Sequence, residues 1–388
     1  MASMRQVLFL GNLSIGYNRN ILRAIGDYAA QGNRHHILFP TDYEPANANW
    51  LHQIDISGVI VGACPQFGTL LSQIVRAKKP VVDVSAEGEA MGHTRIATDD
   101  QVVGAMAADY FADRGFKRLV YYGVAARHWS AMRWRGFQKR AQDRGAAVQH
   151  FDRPSGSTDQ EAGFFPCPVA QWIHSLNHPT AVFAGDDLLG AELLEACQHL
   201  NISVPDEMAI LSVDNDDIYG SWGNHRLSSV MLNTGEIGRR ALDTLLRLIQ
   251  RRSVASTTIL IQPIHIVTRF STNIFGVSDP LVREALQLIH QGFGGGISVK
   301  SVASKLAVSR PTLERRFALE LNRTPAAEIS RVQAEFARRR LLDTDKTVTE
   351  IAAEAGYSSA RQLRAAMDQH FAVTPRDMRT LIPHQPPL

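Results

Sequence analysis

Short apolar runs recur between helix-length segments over the first 270 residues, and this alternation limits the folds open to the chain more than any other feature. The runs are Val7 to Leu10, Val59 to Val61, Val81 to Val84, Leu119 to Tyr122, Ala181 to Phe183 and Ile210 to Val213. Each is continuously apolar or nearly so and is followed by an amphipathic stretch. A strand buried on both faces reads this way, because helices cover both sides of a parallel sheet. About six such units precede Ile218, enough for two lobes. The expected fold of this part is a bilobed α/β domain.

In open parallel sheets ligands bind beyond the carboxyl ends of the strands. Polar residues gather at those ends: Asn12 to Arg19 after the first run, Asp186-Asp187 after Phe183, and Asp214 to Asp217 after Val213. Caps and turns use the same residue types, so each cluster also has a purely structural reading. Carboxylates and a guanidinium together suit sugar hydroxyls, which both donate and accept, while aromatic faces cover ring C–H surfaces. Tyr17, Trp129, Trp134 and Trp222 flank the polar positions; core packing is the alternative for each.

The last hundred residues change character. Two segments, Ser298 to Phe317 and Thr347 to Met367, each read as short helix, tight turn, second helix. In the first, Val302, Leu306, Leu313 and Phe317 form one apolar face, and Ser309 is placed to cap the second helix with Pro311 in its first turn. Arg310, Thr312, Glu314 and Arg315 are left to project. In the second, Thr347 and Glu350 form a capping box and Gly356 ends the helix, leaving Ser359, Arg361, Gln362 and Arg364 outward and Leu363 and Met367 inward. Arg pairs with guanine and Gln with adenine in the major groove, so these side chains are the candidate base readers. A helix from Pro325 to Leu342, capped by Thr324, would span roughly 27 Å, about the offset between successive groove segments on one side of a duplex. The alternative is a small helical bundle with a solvated basic face.

Charge agrees with this division. From Ser278 onward there are 16 Lys+Arg against 12 Asp+Glu, so the basic excess of the chain lies with the candidate DNA readers. Three widely spaced cysteines, Cys64, Cys167 and Cys197, give neither a disulfide framework nor a zinc pattern and fit a reducing cytoplasm. No apolar run approaches a membrane span, and Val7 to Leu10 is too short for a signal-peptide core, so no membrane association is expected. Asp214 to Ile218 fails as a calcium loop because its fifth position is Ile and its twelfth is His225. His174 and His178 lack an evident third ligand, and Gly294 to Gly296 lacks the lysine of a phosphate loop, reading instead as a flexible joint. No cofactor, metal or catalytic set is expected.

The C-terminal pattern, through Leu306-Ala-Val-Ser309, Leu313-Glu-Arg-Arg-Phe317, Ala337 to Leu342, Ile351-Ala352, Gly356-Tyr357 and Val373 to Arg379, resembles the AraC/XylS class of transcription regulators over residues 282–378. The chain departs from that class in having Leu363 and Met367 where Phe is usual, and Pro311 where a longer side chain is common. Residues 6–269 resemble the sugar-binding domain of the LacI/GalR repressors. Asp99 with Gly104, Arg133-x-x-Gly136-Phe137, Asp187-x-x-Gly190 and Val204 to Asn215 carry that likeness. It implies that Asp99, Arg133, Asp186 and Asp214 face a sugar between the lobes, with Asp186 standing where relatives often have Asn. Sugar domain first and double helix-turn-helix second is similar to the XylR-like group, with agreements at Tyr17-x-Arg19, Ala97-Thr-Asp99 and Cys197-x-His-Leu200.

The resemblance implies a sensor domain over 1–270, a linker over 271–280 and a DNA-binding domain over 281–383. Its ligand residues would be Asn12, Tyr17, Arg19, Asp99, Arg133, Asp186 and Asp214. The expected function is a cytoplasmic, sugar-responsive, non-enzymatic activator, with double-stranded DNA, a xylose-like effector, a second copy of the chain and RNA polymerase as partners. A repressor, a sensor of another sugar or polyol, a transporter's solute-binding protein and a sugar enzyme are the rival readings.

Overall fold

A computed structural model describes residues 5–32, 35–39, 55–62, 68–85, 87, 94–125, 127–153, 167–220, 227–250, 257–292 and 297–380. These divide into two compact units, residues 1–109 with 118–273, and residues 110–117 with 274–388. Trp222 and Gly294 to Gly296 lie outside the described residues.

The first unit holds two sheets. In chain order its elements are β1 (Arg5–Leu10), α1 (Gly16–Gly32), β2 (His35–Leu38), β3 (Ile56–Val61), α2 (Gly68–Arg76), β4 (Val81–Asp83) and β5 (Thr94–Thr98). Then come α3 (Asp100–Asp113), whose last turn clusters with the second unit, β6 (Arg118–Val124), α4 (His128–Asp143), β7 (Ala147–Arg153), α5 (Cys167–Ser175), β8 (Thr180–Ala184) and α6 (Asp187–His199). The remainder are β9 (Met208–Val213), α7 (Asp217–Gly220), β10 (Ser228–Met231), α8 (Thr234–Ile249), β11 (Thr258–Ile261) and β12 (His265–Val267).

One sheet has the order β11-β5-β4-β3-β1-β2 and the other β12-β10-β9-β8-β6-β7. All neighbours are parallel except β10 and β12. The chain passes between the lobes three times, from β5 to β6, from β10 to α8 and from β11 to β12. Every apolar run singled out in the sequence lies in a strand: β1, β3, β4, β6, β8 and β9, with Val84 just past its strand. Val7, Leu8, Val59, Ile60, Val182, Phe183 and Ile210 are fully buried, each contributing about 1.5–3 kcal/mol relative to exposure. The remaining strands are short or polar, such as Thr94–Thr98 and Ala147–Arg153, and carry no comparable sequence signal.

The second unit is helical: α9 (Pro280–Gln291), α10 (Val299–Lys305), α11 (Arg310–Leu321), α12 (Pro325–Asp343), α13 (Val348–Glu354), α14 (Ala360–Phe371) and α15 (Pro375–Thr380). The predicted caps form. Ser309 accepts from the Thr312 amide and Thr324 from Ala327, while Thr347 and Glu350 cap each other; Ser359, read from the sequence as an outward base contact, also caps α14 by accepting from the Gln362 amide. The two helix pairs repeat in backbone detail. Ala307 (φ 53°) and Gly356 (φ 81°) make the same left-handed break between the paired helices, and Asn322 and Ala372 (both φ 53°) end the second helices alike. Val302, Leu313 and Phe317 are fully buried in one core; Ile351, Leu363 and Met367 are fully buried in the other. Leu363 and Met367 thus fill the interior where Phe is usual in the resembling class. Phe275 and Val277, in the stretch read as a linker, are buried in the first of these cores.

A buried charge cluster sits beneath α12. Glu328 is fully buried, bonded by Arg331 (2.7 Å) and His290 (3.0 Å) and paired with Arg323 (2.8 Å). Arg323 and Arg331 also pair with Asp113 at 3.3 and 3.6 Å. Burial works against the Glu328 charge, yet Arg331, His290 and Arg323 together hold its carboxyl below the usual range. Burial pushes His290 down to about 4, so it is neutral at pH 7.

Candidate functional site

A cleft of about 420 Å³ opens in the first unit, walled by residues that follow the carboxyl ends of strands in both sheets. Helix packing creates its floor. A Cβ on Gly104 would overlap the Arg133 carbonyl, and one on Gly136 would overlap the Gln101 carbonyl, so α3 and α4 cross backbone to backbone. This explains the glycines noted at Asp99-x₄-Gly104 and Arg133-x-x-Gly136. The close crossing brings Arg133 to the first residue of α3, where its Nε donates to Asp100 Oδ1 at 2.8 Å. Arg133 Nη1 donates to the Gly185 carbonyl at 2.5 Å, and the guanidinium carbon lies 4.8 Å from the Trp129 ring centroid.

Around this one buried guanidinium stand three carboxylates that line the cleft, Asp100, Asp186 and Asp214. Burial pushes the Asp100 carboxyl up, and Arg133 opposes that. Burial also raises Asp186, offset by the Leu189 amide, which donates to Asp186 Oδ1 at 2.8 Å. Asp214 is pushed up furthest in kind: burial comes first, the neighbouring carboxylates Asp187, Asp186 and Asp100 add to it, and Arg133 opposes. Its backbone is left-handed, φ 108°, and its carboxylate accepts no hydrogen bond among the described residues. A non-glycine residue in this region costs on the order of 1–3 kcal/mol, and such strain clusters where a side chain must be aimed at a ligand. Burial works against the charge of Arg133, but Asp100 and Asp214 hold its pKa above the usual arginine value. An ionic floor in which the Asp214 carboxylate accepts no hydrogen bond among the described residues can bind paired donors and acceptors such as vicinal hydroxyls.

Of the sequence candidates, Asn12, Tyr17, Arg133, Asp186 and Asp214 line this cleft, as does Trp129. Tyr17 donates its hydroxyl to the Val84 carbonyl at 3.1 Å, which leaves its ring as the contact face. Two candidates lie elsewhere. Asp99 sits where the chain passes between the lobes: its Oδ2 accepts from Gln262 at 3.2 Å and its amide pairs with Ile261. The adjacent Asp100 takes the cleft-facing position, because the first turn of α3 rotates successive side chains by about 100°. Arg19 pairs with Asp216. Trp134 stacks on His150 (4.6 Å) and Tyr121 (5.8 Å) instead of lining the cleft. Glu87, Thr98, Arg127 and Arg153 line it without having been singled out; they come from separate strand ends and share no local motif.

In the second unit Arg310, Arg315, Ser359, Arg361, Gln362 and Arg364 are exposed on or at the start of α11 and α14, while Thr312 and Glu314 are half-buried. Arg310 donates to Glu314 at 2.8 Å, and the Thr312 hydroxyl pairs with that of Ser309 at 2.8 Å. Gln362 Oε1 accepts from the Ser358 amide at 3.0 Å. Arg315, Arg361 and Arg364 are drawn into no such local pairing among the described residues.

Comparison with known proteins bears on both units. Residues 108–272 match the family described as "Periplasmic binding protein-like domain", and residues 302–380 match the "Helix-turn-helix domain" family. The chain is 27% identical over 384 residues to the xylose operon regulatory protein of Haemophilus influenzae, covering 96% of this chain and 98% of that protein. It is 24% identical over 385 residues to the protein of the same name from Escherichia coli K12, covering 96% of each. A solved structure of the xylose-binding transcription activator xylR superposes with a TM-score of 0.59 at 23% identity, over 98% of this chain and 99% of that one. The chain therefore joins a periplasmic binding protein-like domain to a C-terminal helix-turn-helix domain, the layout of a DNA-binding transcription regulator, and over nearly its whole length it is similar to the xylose operon regulatory proteins.

Proposed function

We propose that the cleft binds a neutral, pentose-sized sugar and that its occupancy controls DNA binding by α11 and α14, so that the protein activates sugar-catabolic genes. The observation that carries this reading is the Arg133–Asp100 pair with Asp214 on the same wall, its backbone strained and its carboxylate accepting no hydrogen bond among the described residues. The sugar hydroxyls would bridge Arg133, Asp100, Asp186 and Asp214, with Asn12 beside them and the Tyr17 and Trp129 rings against its C–H faces. Cleft size argues for a monosaccharide, since 420 Å³ is near the lower end of ligand sites. Charge argues for a neutral one. The carboxylates Glu87, Asp100, Asp186 and Asp214 outnumber Arg127, Arg133 and Arg153, and those arginines pair with Glu87, Asp100 and Glu192. The relatives' name favours xylose among the neutral pentoses.

On this reading Arg310, Thr312, Glu314 and Arg315 of the first reader, and Ser359, Arg361, Gln362 and Arg364 of the second, address DNA bases and phosphates. The regulator acts in the cytoplasm as a homodimer that engages RNA polymerase, and the sugar leaves chemically unchanged. The test is calorimetric titration of the full chain with xylose, other pentoses, hexoses and a sugar acid. One neutral pentose binding tightly, at least tenfold weaker binding by Arg133→Ala, and tighter operator binding in its presence are expected. Preference for the sugar acid, or turnover of the sugar, would overturn the proposal.

A further inference from the structure

Two ion pairs join one lobe to the other. Arg127, between β6 and α4, pairs with Glu87, after β4, at 3.1 Å; both line the cleft. Arg19, in the first turn of α1, pairs with Asp216, after β9, at 2.5 Å, and neither of these lines it. The second pair is more than a chance meeting of surface charges. The Asp216 side chain is only 5% exposed, and its carboxylate rests against Gly16, the first residue of α1, so closely that a Cβ there would overlap it. The carboxylate thus meets both a guanidinium and the positive end of a 17-residue helix.

Each partner is also anchored in its own lobe. Arg19 Nη1 donates to the Leu13 carbonyl at 2.7 Å. Asp216 Oδ1 accepts from the Ile218 amide at 3.0 Å, and its own amide donates to Asp187 at 2.7 Å. Asp187 in turn accepts from the hydroxyls of Ser212 and Ser229, on β9 and β10. The contact therefore runs from one sheet to the other without passing through the ligand cleft.

We propose that Arg19, Gly16 and Asp216 form a latch that holds the two lobes closed, and that its strength sets the sugar concentration at which the regulator responds. The inference rests on the sugar-sensor reading for its consequence, although the latch itself is made by the protein's own residues. A ligand that binds the closed form pays for closure whenever that form is scarce, so its apparent dissociation constant is the intrinsic one divided by the closed fraction. Loosening the latch lowers that fraction and weakens sugar binding while every cleft contact is retained.

The experiment compares the full-length protein with Arg19→Ala, Asp216→Asn, Gly16→Ala and the exchanged pair Arg19→Glu with Asp216→Arg. Asp216→Asn keeps an acceptor for the Ile218 amide and removes only the charge. Gly16→Ala removes no charge and obstructs the contact sterically. Hydrogen exchange of the sugar-free proteins reads closure directly, and calorimetric titration with xylose reads its consequence. The three single variants should each expose the cleft-facing amides of residues 129–133 and 185–189 to faster exchange and weaken xylose about 5- to 20-fold, a typical coupling. High salt should weaken xylose binding by the parent protein and have little effect on Arg19→Ala. The exchanged pair should recover part of both losses. Unchanged exchange and unchanged affinity in Gly16→Ala and Asp216→Asn would overturn the latch. Faster exchange in the variants of a parent that binds no sugar would uphold the latch and overturn the sugar reading.

Discussion

Asp187 shows how a residue can look like a ligand in the sequence and serve as a keystone in the fold. It is 2% exposed, and burial pushes its carboxyl up to about 7 in spite of three hydrogen bonds donated to it. Because the folded-state value lies above the unfolded one, the native protein holds more protons between about pH 4 and 7 than the unfolded chain does. Stability is therefore highest at the acid end of that window, falls as pH rises from about 4 to 7 and levels off above it, a loss of roughly 4 kcal/mol for a shift of this size. Asp100, Asp186 and Asp214 are raised in the same direction and steepen the trend. Urea unfolding between pH 5 and 8 should show this decline, and Asp187→Asn should make it shallower even if it lowers stability throughout. A decline equally steep in the variant would place the proton elsewhere.

At the scale of elements, the two readers differ in what their second helices leave free. On α11, Arg310 is engaged by Glu314 within its own helix, so Arg315 is the side chain best able to reach a base edge. On α14, Gln362 turns its amide oxygen back to Ser358, and Arg361 and Arg364 carry the exposed charge. Arg315→Ala and Arg361→Ala should each cost roughly 1–3 kcal/mol of operator binding while sparing random DNA, which fluorescence anisotropy on the two duplexes will resolve. Equal losses on both duplexes would make these residues phosphate contacts, with a shallower salt dependence as their signature. Both helices were legible from sequence because caps, turn residues and apolar spacing are local signals. Ala307 and Ala372 were not, since nothing local marks an alanine for the left-handed region that neighbouring Asn322 and Gly356 adopt more readily.

For the molecule as a whole, the DNA-binding unit is not confined to the C-terminal segment. Residues 110–117 cluster with it, and Asp113 pairs there with Arg323 and Arg331. Glu328 is the centre of that cluster. Replacing it with Ala would leave two arginines without their buried carboxylate, a loss of about 3–5 kcal/mol. Differential scanning calorimetry of the full chain should show one transition of Glu328→Ala displaced to lower temperature. A fragment of residues 274–388, which lacks Asp113, should unfold at lower urea than the same unit in the intact chain. Equal midpoints would mean that residues 110–117 contribute nothing to its stability.

The sequence by itself determined the elements whose signals are local: the buried strands of the two sheets, the doubled helix-turn-helix with its caps, and the glycines at 104, 136 and 356. It also brought Asn12, Tyr17, Asp186 and Asp214 into view, because strand ends are visible as the polar stops of apolar runs, whereas Arg133, inside a helix, was marked only by the family resemblance. Only the tertiary structure decided which of two adjacent carboxylates, Asp99 or Asp100, faces the cleft, since that depends on the phase of one helical turn against a helix 33 residues away. It likewise decided that Arg19 meets Asp216, across 197 residues, instead of lining the cleft. Pairings of that range are set by how two sheets and their helices pack, and no spacing along the chain encodes them.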